Sequence, residues 1–150
     1  MPEECAERFA GHCVVYRPPF RIALGVGCDR GAARATLDEV VDAALAACGA
    51  KPADVEIVAS IDLKADETAL SEMAAARGWA IRFYPAVELA AVEVPRPSET
   101  VRRHTGTPSV SAAAALLAAR AQKSSLIVEK CHRRGLDGRN ATVSIARIEE

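Results

Sequence analysis

Short apolar runs alternate along the chain with longer segments in which apolar residues recur every three to four positions. Residues 22–26 and 55–59 are apolar runs of strand length, and a segment with helical spacing follows each of them. The first such segment has apolar residues at Leu37, Val40, Val41, Ala44, Leu45 and Cys48. Since parallel strands need a crossover between them, this alternation predicts a largely parallel sheet with helices on both faces.

The second half of the chain completes the predicted sheet. Residues 79–84 predict a third strand, and the alanine-rich residues 110–122 predict a helix that is apolar nearly all round and therefore buried. Strands predicted at 125–129 and 140–148 leave room only for a basic loop, so they are expected to form an antiparallel edge hairpin. The predicted fold class is α/β, a three-layer α/β/α sandwich around a mostly parallel sheet of about five strands.

The length of 150 residues suits one domain with a substantial core. Residues 1–20, which end at two prolines, are interpreted as an N-terminal appendage, and residues 21–150 as a single α/β domain. The chain opens with acidic residues where a signal peptide carries positive charge, and no apolar run approaches the roughly 20 residues that span a bilayer. We therefore expect a cytoplasmic protein without a membrane partner.

Composition and spacing exclude several kinds of ligand. The net charge of −1 and an aromatic content of 4% give nucleic acid neither an electrostatic attraction nor a stacking platform. The five cysteines include no pair with zinc spacing, and the histidines have no second ligand nearby, so no metal site is predicted. No complete dinucleotide or P-loop signature is present, and no cofactor is predicted.

Residues 60–67, SIDLKADE, place four ionisable groups on the connection between the second strand and the next helix, which we expect to begin near Asp66. In an open α/β sheet this connection lies at the carboxyl edge, where ligands bind. If the first, second and fourth strands run parallel, loops 27–31 and 130–134 meet it there, and residues 105–111 join them. The cations Arg30, Lys64, Lys130, Arg133 and Arg134 would then line a cationic cleft suited to a ligand with several carboxylates or phosphates.

Each of these features has a structural interpretation beside the functional one. Gly25 and Gly27 form only part of a dinucleotide fingerprint, so a sterically tight turn is the favoured interpretation. Cys28 stands where a helix N-terminus and Arg30 could lower the pKa of a thiol, although packing is the commoner role for such a cysteine. Lys64 could simply form a salt bridge with Asp62 or Glu67, but the charge density at this edge favours a functional role.

Three segments taken together resemble the CobE / CbiG C-terminal family of cobalamin biosynthesis. They are GVGCDRG at 25–31, SIDLKADE at 60–67 and GTPSV at 106–110 before the alanine-rich helix, with Pro97-Ser98 and Lys130 matching further family features. The resemblance runs from about Ile22 to Ile148 and keeps the order of the motifs. It implies a three-layer α/β/α domain that binds or acts on precorrins, which are flat macrocycles fringed with carboxylates.

The resemblance also suggests roles for individual residues. As a precorrin-binding protein, the chain would pair Arg30, Lys64 and Lys130 with ligand carboxylates. Further contacts would come from a second set of substrate-binding candidates: Gly27, Cys28, Thr105, Gly106 and Ser109. Other cobalamin-pathway enzymes are candidate partners, and the sequence does not predict the oligomeric state.

Two alternatives to binding stay open. Longer relatives of this family open a lactone on cobalt-precorrin-5A and release acetaldehyde; in such a hydrolase Asp62 or Glu67 would be the general base and Lys64 would polarise the carbonyl. The family pattern has a glutamate after S-V-x, whereas this chain has Val110-Ser111-Ala112, so the matching position is not acidic or lies out of register. If that glutamate is a general acid or base, its loss costs roughly 10²–10⁴-fold in rate. This departure favours binding over catalysis. The third hypothesis, a phosphate- or nucleotide-binding α/β protein, lacks the glycine signatures it needs.

Overall fold

The structure, a computed structural model, describes residues 21–95 and 110–148. The predicted appendage at 1–20 lies outside the described residues. The strands are β1 (Ile22–Cys28), β2 (Val55–Ile61), β3 (Ala80–Tyr84), β4 (Leu126–Arg134) and β5 (Asn140–Arg147). The α-helices of the described part are α1 (Arg34–Cys48), α2 (Thr68–Ala76), α3 (Ala86–Ala90) and α4 (Val110–Ala119).

The strands form one sheet in the order β3-β2-β1-β5-β4. β1 pairs with β2 and β2 with β3 in parallel, whereas β5 runs antiparallel to both β1 and β4. β4 therefore points the same way as β1, and the carboxyl ends of β1, β2, β3 and β4 lie at one edge. The predicted α/β fold, its five-stranded sheet and its antiparallel edge hairpin are confirmed.

The sheet has a helical layer on each face because alternate residues of each strand point in opposite directions. In β1, Ile22, Leu24 and Val26 belong to the core cluster formed with α1 and α2, while Ala23 belongs to a cluster formed with α4. Most of α4 is buried, as its uniformly apolar sequence predicts. Even so, no helix in the described part of the chain is long and apolar enough to cross a membrane.

Gly25 sets how closely α4 approaches the sheet. A Cβ atom at this position would lie 1.8 Å from the carbonyl oxygen of Ser111 and 2.6 Å from the nitrogen of Ala115. No side chain fits there, so the helix backbone rests directly on the strand. The predicted tight turn at Gly25 and Gly27 is wrong: both lie inside β1, and Gly25 serves helix packing instead.

Two element boundaries differ from the predicted ones. The basic segment predicted as a loop at 130–134 is the second half of β4, where Cys131 is fully buried opposite Val143. Charged residues flank this cysteine, which hides the strand pattern in the sequence. Similarly, α2 begins at Thr68, two residues after the predicted start near Asp66, with Glu67 at its N-cap position.

The chain enters and leaves this sheet side by side. Ile22 pairs with Arg147, and the backbone N–H of Ile148 donates to the carbonyl oxygen of Arg21 over 2.9 Å. These residues lie at the amino end of β1, opposite the edge to which SIDLKADE belongs. The first and last described residues are therefore neighbours on the side of the sheet away from that segment.

Candidate functional site

The SIDLKADE segment follows β2 directly and lies beside the end of β1. Asp62–Lys64 forms one turn of 3-10 helix, and Glu67 then occupies the N-cap position of α2. Asp62 is exposed, Lys64 half-buried and Glu67 buried. The compact turn thus separates the segment into a solvent-facing part and a part directed at the neighbouring loop.

Glu67 binds the loop that follows β1. Only 6% of this residue is exposed, and its two carboxylate oxygens accept the Gly31 backbone N–H at 3.1 and 3.3 Å. The Arg30 guanidinium lies 2.9 Å from Oε2. A buried carboxylate needs such partners to offset its lost hydration. Glu67 therefore holds the β1 loop against the start of α2, and the Gly31 N–H is used internally and is not available to an anion.

Arg30 completes the same connection. Its Nη1 lies 2.6 Å from Asp66 Oδ1, and its Nη2 donates to the Leu63 carbonyl oxygen over 2.8 Å. The hydrogen bond to Arg30 lowers the pKa of Asp66, and the same pair raises the pKa of Arg30. The hydrogen-bond donors of Arg30 are thus used within the protein, and its charge is largely balanced by Asp66 and Glu67.

Lys64 is placed differently from Arg30. Among residues 21–95 and 110–148 it forms no ion pair, so the salt bridge to Asp62 or Glu67 that would explain it structurally is not found there. Its ammonium group nevertheless lies near enough to help lower the pKa of Asp29. Within the described residues, Lys64 is consequently a half-buried cation at the carboxyl edge without an ion-pair partner.

The thiol of Cys28 is less acidic than its position in the sequence suggests. Burial raises the pKa of its thiol to about 11, and Lys64 offsets this only in part. The expected net lowering is wrong: α1 begins only at Arg34, and burial outweighs the lowering effect of Arg30, whose guanidinium hydrogen-bonds to Asp66. Cys28 is a free, neutral thiol that packs at the end of β1.

Thiol alkylation tests this description of Cys28. At pH 8 a thiol with this pKa is ionised in about one molecule in a thousand, so iodoacetamide should label it very slowly. The rate at Cys28, followed by peptide mass spectrometry, should keep rising up to pH 11, and unfolding in urea should restore ordinary reactivity. A plateau below pH 9 in the folded protein would show a thiolate and contradict the assignment.

Comparison with known proteins shows the family of this chain. Residues 22–146 match the family model described as Cobalamin synthesis G C-terminus. The chain belongs to this family. It is 35% identical over 135 residues to a cobalt-precorrin-5A hydrolase of Priestia megaterium, a match that covers 90% of the chain and 34% of that relative. The chain therefore spans about a third of the length of the hydrolase.

Shorter relatives match over more of their length. Protein CobE of Sinorhizobium sp is 37% identical over 113 residues, which cover 73% of the chain and 71% of the relative. Among solved structures, CobE from the cobalamin (vitamin B12) biosynthetic pathway has a TM-score of 0.75 and 28% identity, and the match covers 91% of this chain and 100% of that one. The cobalamin biosynthesis protein chiG of Agrobacterium tumefaciens str. C58 has a TM-score of 0.62 and 32% identity over 86% and 99% of the two chains.

The remaining candidate residues of this cobalamin synthesis G C-terminal chain lie in different places. Gly27 is half-buried in β1 opposite Thr142, and Lys130 is half-buried within β4 and not in a loop. Three candidates near the start of α4 lie outside the described residues: Thr105, Gly106 and Ser109. The structure thus brings together Cys28, Arg30, Lys64 and Glu67, whereas Lys130 belongs to the far strand of the sheet.

Sequence reasoning missed a polar pair at the same edge. The Asp29 Oδ2 atom accepts the backbone N–H of Asn140 at 2.8 Å and its Nδ2 at 2.9 Å. The backbone hydrogen bond is the main reason that the pKa of Asp29 is lowered. The partners are 111 positions apart in the sequence, so no local sequence pattern predicts this pair. Only the pairing of β1 with β5 brings them together.

Proposed function

We propose that this cobalamin biosynthesis protein binds a precorrin at the carboxyl edge of its sheet, with Lys64 as the principal cation. The observation that carries the proposal is the half-buried residue Lys64, whose ammonium group forms no ion pair in the described part of the chain. An ammonium group in such a position gains a charge-assisted hydrogen bond when a carboxylate arrives. Precorrins present several carboxylates around a flat ring.

The neighbouring groups suit a supporting role in this site. Asp66 and Glu67 hold Arg30, so Arg30 fixes the shape of the loops at the carboxyl edge of the sheet. Pairing with ligand carboxylates is left mainly to Lys64. Lys130, Thr105, Gly106 and Ser109 stay proposed ligand contacts from the family resemblance. The phosphate- or nucleotide-binding alternative loses support because Gly25 and Gly27 lie within a strand and form no loop that could surround a phosphate.

A lactone-opening hydrolase is the second candidate, and one observation favours it. Asp62 and Lys64 lie on the same 3-10 turn, with Asp62 exposed. In hydrolysis Asp62 would take a proton from water as that water adds to the lactone carbonyl, and Lys64 would stabilise the developing oxyanion. When the C–O bond of the lactone breaks, Asp62 would return its proton to the departing alkoxide, which leaves as an alcohol. Glu67 is less suited to be the base, since both of its oxygens already accept hydrogen bonds.

Titration with cobyrinic acid, a corrinoid whose side chains are free carboxylic acids, tests the binding proposal. Lys64→Ala should weaken the affinity about 10-fold or more, because a charge-assisted hydrogen bond contributes about 1.5–3 kcal/mol. The change can be followed by absorbance of the corrin ring. Cyanocobalamin, in which the carboxylates are amides, should show a smaller dependence on Lys64.

Lys123→Ala is the matched control for this substitution. Lys123 precedes β4 at the opposite edge of the sheet and pairs with Glu93 at an exposed position. Equal affinities of the wild type and Lys64→Ala would reject the role of Lys64, and failure of cobyrinic acid and of pathway precorrins to bind would reject the proposed function. Acetaldehyde release from a lactone precursor, lost in Asp62→Ala, would instead establish the hydrolase.

A further inference from the structure

A row of hydrogen-bonded side chains crosses three neighbouring strands at the carboxyl edge. Asp29 follows β1, Asn140 begins β5, and His132 lies near the end of β4. The Asn140 side chain joins the other two: its Nδ2 is 2.9 Å from Asp29 Oδ2, and its Oδ1 is 2.8 Å from His132 Nε2. His132 itself is exposed. The imidazole is thus connected to the β1 loop through the Asn140 amide.

The Asp29 carboxylate fixes the orientation of the Asn140 amide. Its Oδ2 accepts both the backbone N–H and the Nδ2 group of Asn140, and an ionised carboxylate has no proton to donate. Because the pKa of Asp29 is lowered, this group is ionised at neutral pH. A flipped amide would direct its oxygen at the carboxylate and lose a hydrogen bond. The Oδ1 atom of Asn140 is therefore committed to His132.

The amide orientation in turn determines the tautomer of His132. An amide oxygen only accepts hydrogen bonds, so His132 Nε2 must carry the proton. In a neutral imidazole the other nitrogen, Nδ1, then keeps its lone pair. We propose that Asp29 and Asn140 are positioning residues that hold His132 with Nε2 protonated, so that Nδ1 is the atom that exchanges hydrogen bonds or a proton with the ligand of this edge.

This inference extends the proposed function by defining a second contact for the same ligand. Lys64 follows β2, and His132 lies on β4, three strand spacings away in the sheet order, which is about 14 Å. A small anion contacts one of these groups, whereas a macrocycle with carboxylate side chains reaches both. Neutral Nδ1 would accept a hydrogen bond from a protonated ligand group, and the imidazolium would donate to a carboxylate.

Long-range ¹H–¹⁵N correlation spectra of the unliganded protein test the tautomer, with His132→Gln to assign the resonances. The wild type should show a protonated Nε2 and an unprotonated Nδ1. Asp29→Ala, although Asp29 is connected to His132 through Asn140, should release the Asn140 amide and populate the Nδ1–H tautomer. Asp29→Asn keeps an oxygen acceptor and should restore the wild-type pattern. Asp66→Ala, which removes another carboxylate at the carboxyl edge, should leave the wild-type tautomer pattern unchanged.

Two results would overturn the inference: mixed tautomers in the wild type, or an Asp29→Ala spectrum identical to that of the wild type. If Asp29→Ala does not fold, as judged by circular dichroism, Asn140→Ala tests the same connection and should likewise mix the tautomers. The ligand contact is tested by titrating cobyrinic acid, which should shift the Nδ1 resonance. A saturated complex with an unshifted Nδ1 would refute that contact, whereas absence of binding would refute the proposed function and leave the tautomer result standing.

Discussion

Gly25→Ala is expected to destabilise the fold by about 3 kcal/mol or more, at the upper end of the range for overpacked cores. The added methyl group would lie 1.8 Å from a backbone carbonyl oxygen of α4, and a backbone atom cannot escape by a rotamer change. Relief requires α4 to move away from the sheet, which opens the buried layer that this helix forms with β1, β2 and β5. Urea unfolding followed by circular dichroism measures the loss.

Gly27→Ala is the matched control because the same substitution two residues along the same strand meets no steric clash. A Cβ atom there would lie 3.6 Å from the nearest atom, the Cβ of Val110, which is ordinary van der Waals contact. An alanine also restricts the unfolded chain, so stability should be unchanged or higher by about 0.5 kcal/mol. Equal losses in the two variants would mean that general strand effects, and not the approach of α4, explain the glycine at position 25.

Glu67→Ala should lower the free energy of unfolding by about 2 kcal/mol, because it removes the buried acceptor of the Gly31 N–H and one partner of Arg30. The β1 loop would lose its attachment to the start of α2, so ligand affinity at the edge should fall as well. Glu67→Gln keeps an acceptor oxygen and should recover part of the stability. Urea titrations give the free energy of unfolding of both variants.

Asp66→Ala provides the contrast. Asp66 makes the shorter contact with Arg30, 2.6 Å against 2.9 Å for Glu67, yet its side chain is 77% exposed while that of Glu67 is 7% exposed. Water screens an exposed pair and hydrates the freed groups, so the unfolding midpoint should barely move. A larger loss for Asp66→Ala than for Glu67→Ala would contradict the view that burial, not distance, determines which partner of Arg30 matters.

The architecture was predictable because burial leaves a periodic signature. The apolar spacing from Leu37 to Cys48 predicted α1 with its correct end, where Gly49 takes a left-handed backbone conformation with φ of 71°. Uniform apolarity predicted the buried α4, and the short connection predicted the hairpin. The extension of β4 through Arg134 was missed, since in this second half of the strand the buried Cys131 stands among charged side chains that mask the strand pattern.

The candidate site was predictable only in its location. Its charged residues follow strand ends, and parallel strands bring those ends together. What each residue does depends on partners that are far apart in sequence, such as Gly31 with Glu67 at 36 positions and Asp29 with Asn140 at 111. Such pairs are set by strand order and by loop conformation, neither of which has a local signal. The direction of the pKa shift at Cys28 was misjudged for a related reason, because it depends on how deeply the thiol is buried in the folded protein.

The adjacent positions of Arg21 and Ile148 make the domain suitable as an interchangeable module. Because the first and last described residues meet across one hydrogen bond, the unit between them could be closed by a short linker, as in a circular permutant, or inserted into a host protein. Both attachments would leave from the edge remote from Lys64 and His132. A fusion partner could therefore be gained or lost without obstructing the edge where we propose that the ligand binds, which accords with relatives that range from about this size to more than twice as long.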